Sequence, residues 1–219
     1  MATAEKLDNI IETKEAIRTT VGISEEEPFN NYPAKIQEKI NSGGNKESLF
    51  NPDILLRSGV DVNYLIQKTV KTIPKDVVTE IFKKFPKNSL TSTFTYAYSL
   101  EELDLSDCDT TSFVNFNSSF NYCYNLIRIK GIIDCINNNS AMSNMFYQCE
   151  NLEEVYIKNL NNSIYFNYSP KMKKECLVYL INNAQEVTET KIINLGTSNS
   201  EKLTTEEKAV ATSKGYTLV

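Results

Sequence analysis

Histidine is absent from this 219-residue chain, and with it the side chain most often used as a general acid or base near neutral pH. A zinc site would need thiolate and carboxylate ligands alone, yet Cys108, Cys123, Cys135, Cys149 and Cys176 show no paired metal-ligand spacing. Glycine is sparse at 7 residues, and no Gly-rich phosphate loop, Gly-x-Ser-x-Gly elbow or His-Glu-x-x-His is present. The carboxylate pairs Glu101 with Glu102, Glu153 with Glu154 and Glu206 with Glu207 fall at expected strand edges or helix starts and read as solvated charge. The expectation is a protein that is not an enzyme and holds no cofactor and no metal.

Positive charge is also in deficit, with Lys+Arg at 23 against Asp+Glu at 28 and a net charge of -5. Gripping phosphates requires a basic excess, so no nucleic-acid partner is expected. No apolar run approaches the ~20 residues that span a bilayer, and the opening Met-Ala-Thr-Ala-Glu-Lys carries no basic and apolar signal segment. A chain made in the cytoplasm, without a membrane partner, is therefore expected. The five cysteines read as reduced packing residues, because free Cys behaves as a small hydrophobe; a disulfide or a reactive thiol is the alternative.

What the sequence does have is a repeat. Between Leu90 and Ile157, Phe94, Phe120 and Phe146 recur every 26 residues, as do Leu100, Leu126 and Leu152, then Leu103, Ile129 and Val155. Self-similarity at a fixed period marks a stacked architecture. Alternate apolar positions at Leu103 and Leu105, or Val155 and Ile157, predict a brief strand. The pairs Leu90 with Phe94, Phe116 with Phe120 and Met142 with Phe146 are four apart, which predicts a helical turn before each strand. Small Ala97, Cys123 and Cys149 would let neighbouring layers approach. On the outer strand face the step predicts two columns, Glu102, Arg128, Glu154 and Asp104, Lys130, Tyr156, whose opposite charges stabilise one another.

The flanks divide into three further parts. From Thr3 to about Val21, Leu7, Ile10, Ile11, Ile17 and Val21 form one stripe of an amphipathic helix. That stripe needs a partner: the rest of the chain, copies of itself, or a groove on another protein. Gly22 ends the helix, Pro28-Phe29-Asn30-Asn31-Tyr32-Pro33 fixes a turned path that presents Phe29 and Tyr32, and a short helix 34–40 runs into the Gly43-Gly44 linker. Residues 1–45 are thus an anchor or oligomerisation segment. Residues 46–88 form a cap and first coil, with a strand at 70–73 and a Pro74-initiated helix. Residues 89–219 continue the stack to its end, through a helix capped at Ser169-Pro170 and running to Asn183, a strand at 191–195, a capping box of Thr204 with Glu207 opening a helix to Ser213, and a closing strand at 216–219. The expected fold is an α/β solenoid with about six short strands in one parallel ladder, preceded by a helical attachment region.

The runs Leu103-Asp104-Leu105-Ser106-Asp107-Cys108-Asp109-Thr110-Thr111 and Met142-Ser143-Asn144-Met145-Phe146-Tyr147-Gln148-Cys149-Glu150-Asn151-Leu152 resemble the BspA-like leucine-rich repeats over about residues 86–160. The middle unit departs from that pattern at Lys130-Gly131-Ile132. Glu12 through Arg18, Gly22, Pro28-Phe29 and Tyr32-Pro33 with Lys35-Ile36 are similar to the opening segment of tailed-bacteriophage fibre and baseplate-associated proteins. The resemblance implies a virion structural protein, a head fibre, tail fibre or baseplate-associated component assembled in the host cytoplasm. It would bind other virion proteins through its N-terminus, form a homodimer or homotrimer, and display its repeats to a protein or host cell-surface molecule. A bacterial surface adhesin or protein-interaction module is the alternative. The contact residues expected on the displayed part are Tyr156, Tyr165, Phe166 and Tyr168, amphipathic side chains with a low entropy cost of ordering.

Overall fold

The computed structural model describes residues 89–219 continuously, together with 71–73, 75, 78, 79 and, towards the N-terminus, 15, 18, 31 and 35. Glu15 and Arg18 are helical and joined by a hydrogen bond of 2.9 Å, in keeping with the helix expected there. Leu7, Ile10, Ile11, Ile17, Val21, Phe29 and Tyr32, the helix 34–40, the linker and most of 46–88 lie outside the described residues.

The described region is an α/β fold of short parallel strands. Strands β1 (Glu102–Asp104), β2 (Arg128–Asp134) and β3 (Glu154–Lys158) make one sheet, and β4 (Ile164–Tyr165), β5 (Lys191–Asn194) and β6 (Tyr216–Leu218) a second. Helices α1 (Lys174–Asn183), α2 (Gly196–Ser200) and α3 (Thr205–Ser213) fall in the C-terminal part. In the first sheet Leu103 pairs with Ile129 and Ile129 with Val155, the register the 26-residue step demands. Thr72 bridges in parallel to Glu102, so the expected first strand does meet β1, and Lys75, Val78 and Thr79 are helical.

Phenylalanines form the axis of the core. Phe94 stacks on Phe120 at 5.3 Å, Phe120 on Phe146 at 5.5 Å and Phe146 on Phe166 at 5.3 Å, all buried. Beside them Cys123 donates its thiol hydrogen to the Phe94 carbonyl and Cys149 to the Phe120 carbonyl, each at 3.0 Å. The two cysteines at this position therefore both permit close approach and tie successive layers together.

The segments before the strands are turns where one helical turn each was expected. In a helix every amide hydrogen stays within its own segment; here alternate ones cross over. The amides of Leu90, Ser92, Phe94 and Tyr96 donate to the carbonyls of Asn115, Asn117, Ser119 and Asn121, while Thr93, Thr95 and Ala97 close turns within their own layer. Alternation of this kind needs left-handed backbone, found at Ser92, Tyr96, Ser118, Tyr122 and Gln148 with φ between 56° and 64°. The pairs expected to face inward still do, since Leu90, Phe94, Phe116, Phe120, Met142 and Phe146 are all buried.

Three other expectations are corrected. The six strands form two sheets, because α1 occupies the place beyond β3: the amide of Lys173 donates to the Glu153 carbonyl at 2.8 Å and that of Asn159 to Asn183 at 2.7 Å. The second sheet instead extends another line of parallel pairing, seen at Ser89 with Asn115 and at Met142 with Ile164, through Ile193 to Leu218. The outer column Asp104, Lys130, Tyr156 is broken, because β2 bulges and Tyr156 stands opposite Ile132. Gly131 makes that bulge at φ 87°, with its α-carbon so close to β1 that a Cβ would sit 2.8 Å from the backbone of Leu105 and Ser106. Finally α1 begins at Lys174, with Lys173 as N-cap, rather than at Ser169-Pro170. The Lys202 ammonium holds the intervening carbonyls of Pro170 at 2.9 Å and Met172 at 2.6 Å in a turn.

The C-terminal elements follow the sequence closely. Thr204 and Glu207 form the reciprocal capping box of α3. Just past α3, the Lys214 ammonium caps α1 by donating to the carbonyls of Ile181, Asn182 and Ala184 at 3.1, 2.6 and 2.9 Å, where a cation also complements the helix dipole. Helix α2, with the buried Asn199 amide bridging the carbonyls of Phe166, Ser169 and Leu195, was not expected from the sequence.

Candidate interaction surface

The strand side of the stack carries the charge and pairs it internally. Arg128 reaches Glu102 at 3.1 Å, Lys130 also meets Glu102, Lys173 meets Glu154 at 2.8 Å and Lys75 meets Asp107 at 2.7 Å. Exposed pairs of this kind contribute about 0–1 kcal/mol each and leave little net field for a ligand. A cleft of about 320 Å³ opens where β1 and β2 diverge at the bulge, lined by Cys108, Thr110, Gly131, Asp134 and Lys158 among others. Both its carboxylates are engaged, Asp109 by the Thr111 amide at 3.0 Å and Asp134 by Lys158 at 3.0 Å and Asn159 at 2.8 Å. Burial alone would raise the Asp134 carboxyl, but hydrogen bonds from Asn159, Lys158 and the Ile136 amide hold it below its ordinary value. The Cys108 thiol is pushed up by burial, which disfavours the reactive thiolate. Among the described residues no group of three or more Cys, Asp or Glu could hold a metal ion.

The turn side is different. Residues 89–100, 110–127, 135–149 and 159–170 contain no Asp, Glu, Lys or Arg. In their place stand Asn, Ser, Thr and six tyrosines whose rings touch in sequence. Tyr96 lies 5.1 Å from Tyr122, Tyr98 5.6 Å from Tyr124, Tyr122 5.3 Å from Tyr147 and Tyr147 4.6 Å from Tyr168. Cross-contacts from Tyr96 to Tyr98 and from Tyr122 to Tyr124 close the two rows into one strip. Tyr96, Tyr98 and Tyr168 are 41%, 38% and 38% exposed, and the other three are half-buried.

The backbone builds this strip. Tyr96 and Tyr122 sit at the left-handed positions of their turns, with φ 64° and 60°, a conformation that is uncommon for bulky residues and costs on the order of 1 kcal/mol or more each. Interlayer amide bonds hold them there. Asn125 donates to the Tyr98 carbonyl at 2.7 Å and Asn151 to the Tyr124 carbonyl at 2.8 Å, locking the second row. The Tyr124 hydroxyl is raised above its ordinary value by burial, with smaller contributions from Tyr98 and Glu150.

No known protein family, curated protein or solved structure matches this chain.

The contact residues expected from the sequence are not brought together. Tyr168 belongs to the strip. Phe166 is 1% exposed and stacked in the core on Phe146, so its expected place on the surface is corrected: on β4's flank it points to the phenylalanine axis. Tyr156 packs edge-on against Tyr179 of α1 at 5.2 Å, and Tyr165 is half-buried in β4. Tyr96, Tyr98, Tyr122, Tyr124 and Tyr147 were missed. Their signal was present as Tyr96-Ala97-Tyr98 and Tyr122-Cys123-Tyr124 one period apart, in segments without charge.

Proposed function

We propose that this chain is a non-enzymatic virion structural protein of a tailed bacteriophage, a head fibre, tail fibre or baseplate-associated component, built as a leucine-rich-repeat-like solenoid that binds a partner. The observation that carries the binding role is the contiguous, partly exposed strip of six tyrosines on the turn side of a rigid stack. Tyrosine supplies large contact area with few rotatable bonds, and Asn and Ser around it supply adaptable hydrogen bonding, the composition of binding loops that recognise varied ligands. The solenoid reading is supported by the in-register pairing of Leu103, Ile129 and Val155 and by the phenylalanine axis. The virion setting rests on the resemblance of residues 12–36 to phage attachment segments.

In this reading residues 1–45 attach the protein to other virion proteins and bring copies together as dimers or trimers through Leu7, Ile10, Ile17 and Val21, and the remainder projects outwards. Mass spectrometry of purified particles tests the setting: the chain should be present at a fixed copy number that is a multiple of two or three. Its absence from particles and presence on a bacterial cell surface would replace this reading with that of an adhesin.

A further inference from the structure

We infer that the turn side carries a covalent modification site, at which Tyr96 joins Tyr122 and Tyr98 joins Tyr124 as dityrosine when a one-electron oxidant acts on the strip. Each link stitches one layer to the next. The inference rests on ring geometry, and neither on the strip being a binding face nor on where the protein resides.

Orientation is the first ground. The unpaired electron of a phenoxyl radical lies in a π orbital with density on the ring carbons ortho to the oxygen, so two such radicals begin their bond face to face. Tyr96 and Tyr122 are stacked at 5.1 Å and 18°, and Tyr98 and Tyr124 at 5.6 Å and 13°. The remaining contacts of the strip are crossed: Tyr122 with Tyr147 at 77°, Tyr122 with Tyr124 at 63°, Tyr147 with Tyr168 at 58° and Tyr96 with Tyr98 at 51°. Crossed rings in contact pass an electron between them but do not lay ortho carbon against ortho carbon.

The backbone supplies the second ground, because it presents each pair already aligned. Tyr96 and Tyr122 share the left-handed conformation, at φ 64° and 60°, and their amides donate to the carbonyls of Asn121 and Tyr147 at 2.8 Å each. Asn125 and Asn151 fix the carbonyls of Tyr98 and Tyr124 in the same way. Access is the third ground. Tyr96, Tyr98 and Tyr168 are exposed to an oxidant, and the ring contacts let a radical formed at any of them move to a stacked pair. The chain has no tryptophan and no histidine, and Met142, Met145, Met172, Cys123 and Cys149 are buried, so phenols are what this face offers for oxidation.

In the reaction two phenols each lose one electron to the oxidant and their hydroxyl proton to water. A carbon–carbon bond forms between the ortho carbons, and the hydrogen on each then shifts to its ring oxygen, restoring both aromatic rings. The pair has lost two hydrogens and the oxidant has gained two electrons. Dioxygen alone is too weak to oxidise a neutral phenol, whereas a peroxidase supplied with hydrogen peroxide is strong enough.

The test treats the dilute full-length chain with peroxidase and hydrogen peroxide, then reads dityrosine fluorescence, size on a denaturing gel and the linked peptides by tandem mass spectrometry. A monomer-sized product lighter by two hydrogens per link is expected, with Tyr96 joined to Tyr122 or Tyr98 to Tyr124. The double variant Tyr122→Phe with Tyr124→Phe keeps the stacked rings but has no hydroxyl hydrogen to give up at either site. It should retain the wild-type circular dichroism and urea midpoint while losing both links. Absence of dityrosine from the monomer, links found only between molecules, links formed as readily at Tyr122 with Tyr147 or Tyr147 with Tyr168, or undiminished monomer fluorescence in the folded double variant would each overturn the inference.

Discussion

Phe120 occupies the middle of the phenylalanine axis, 0% exposed, with Phe94 at 5.3 Å and 0° on one side and Phe146 at 5.5 Å and 4° on the other. Phe120→Ala removes the ring and leaves a cavity whose walls are two other rigid rings, which cannot collapse into it. Truncations of this type cost about 3–5 kcal/mol, and a site with such walls belongs at the upper end, about 4–5 kcal/mol. Phe120→Leu keeps most of the buried volume and loses mainly the two ring pairs, at about 0.5–1.5 kcal/mol each. With a urea slope of about 2 kcal/mol/M, the unfolding midpoint should fall by about 2 M for the alanine variant and about 1 M for leucine. Equilibrium urea unfolding followed by circular dichroism and tyrosine fluorescence on the full chain is the assay. An alanine midpoint shift under about 0.5 M at unchanged slope, or a leucine variant as damaged as alanine, would refute the idea that the stacked rings carry the core.

Two shorter predictions concern the bulge and the cleft beside it. Gly131→Ala combines a left-handed φ with a Cβ 2.8 Å from the backbone of Leu105 and Ser106 just past β1, so it should destabilise by about 2–4 kcal/mol; a melting temperature unchanged from wild type would show that this segment and β2 can part freely. Asp134 has its carboxyl held below the ordinary value, so its contribution to stability is complete above about pH 4 and is lost as pH falls through the folded value. Asp134→Asn should lower stability at neutral pH and flatten the acid limb of the stability profile, while a variant whose acid limb matches wild type would show that the Lys158 and Asn159 contacts do not form in solution.

The parts of this fold legible in the sequence are those fixed by local chemistry or by strict period. Thr204 with Glu207 names a helix start because the two residues satisfy each other's backbone partners, and Phe94, Phe120 and Phe146 name the core because one unchanging step places them in a column. What stayed hidden depends on neighbours distant in the chain. Nothing local in Lys174–Asn183 says that this helix will take the place of a strand beside β3 and so divide the strands into two sheets. The left-handed turns were invisible because Ser92, Tyr96, Ser118, Tyr122 and Gln148 stand where glycine would have signalled them; interlayer hydrogen bonding enforces a conformation that these residues do not prefer alone. The strip was read one tyrosine at a time, so Tyr168 was found while Tyr96 through Tyr147 were not. Phe166, adjacent in sequence to polar residues, was given to the surface although the phenylalanine axis claims it.

The buried thiols have a consequence for where such a protein can persist. Cys123, Cys135, Cys149 and Cys176 are all inside the core, and burial raises the Cys135, Cys149 and Cys176 thiols, Cys149 the more so beside Cys123; only Cys108 is partly open, and its thiol too is raised. Oxidants act on accessible thiolate, which four of the five sites do not present. The stack is therefore held by contacts indifferent to redox potential. The same covalent structure would serve in reducing and in air-saturated surroundings alike, since all five thiols are free and four are buried.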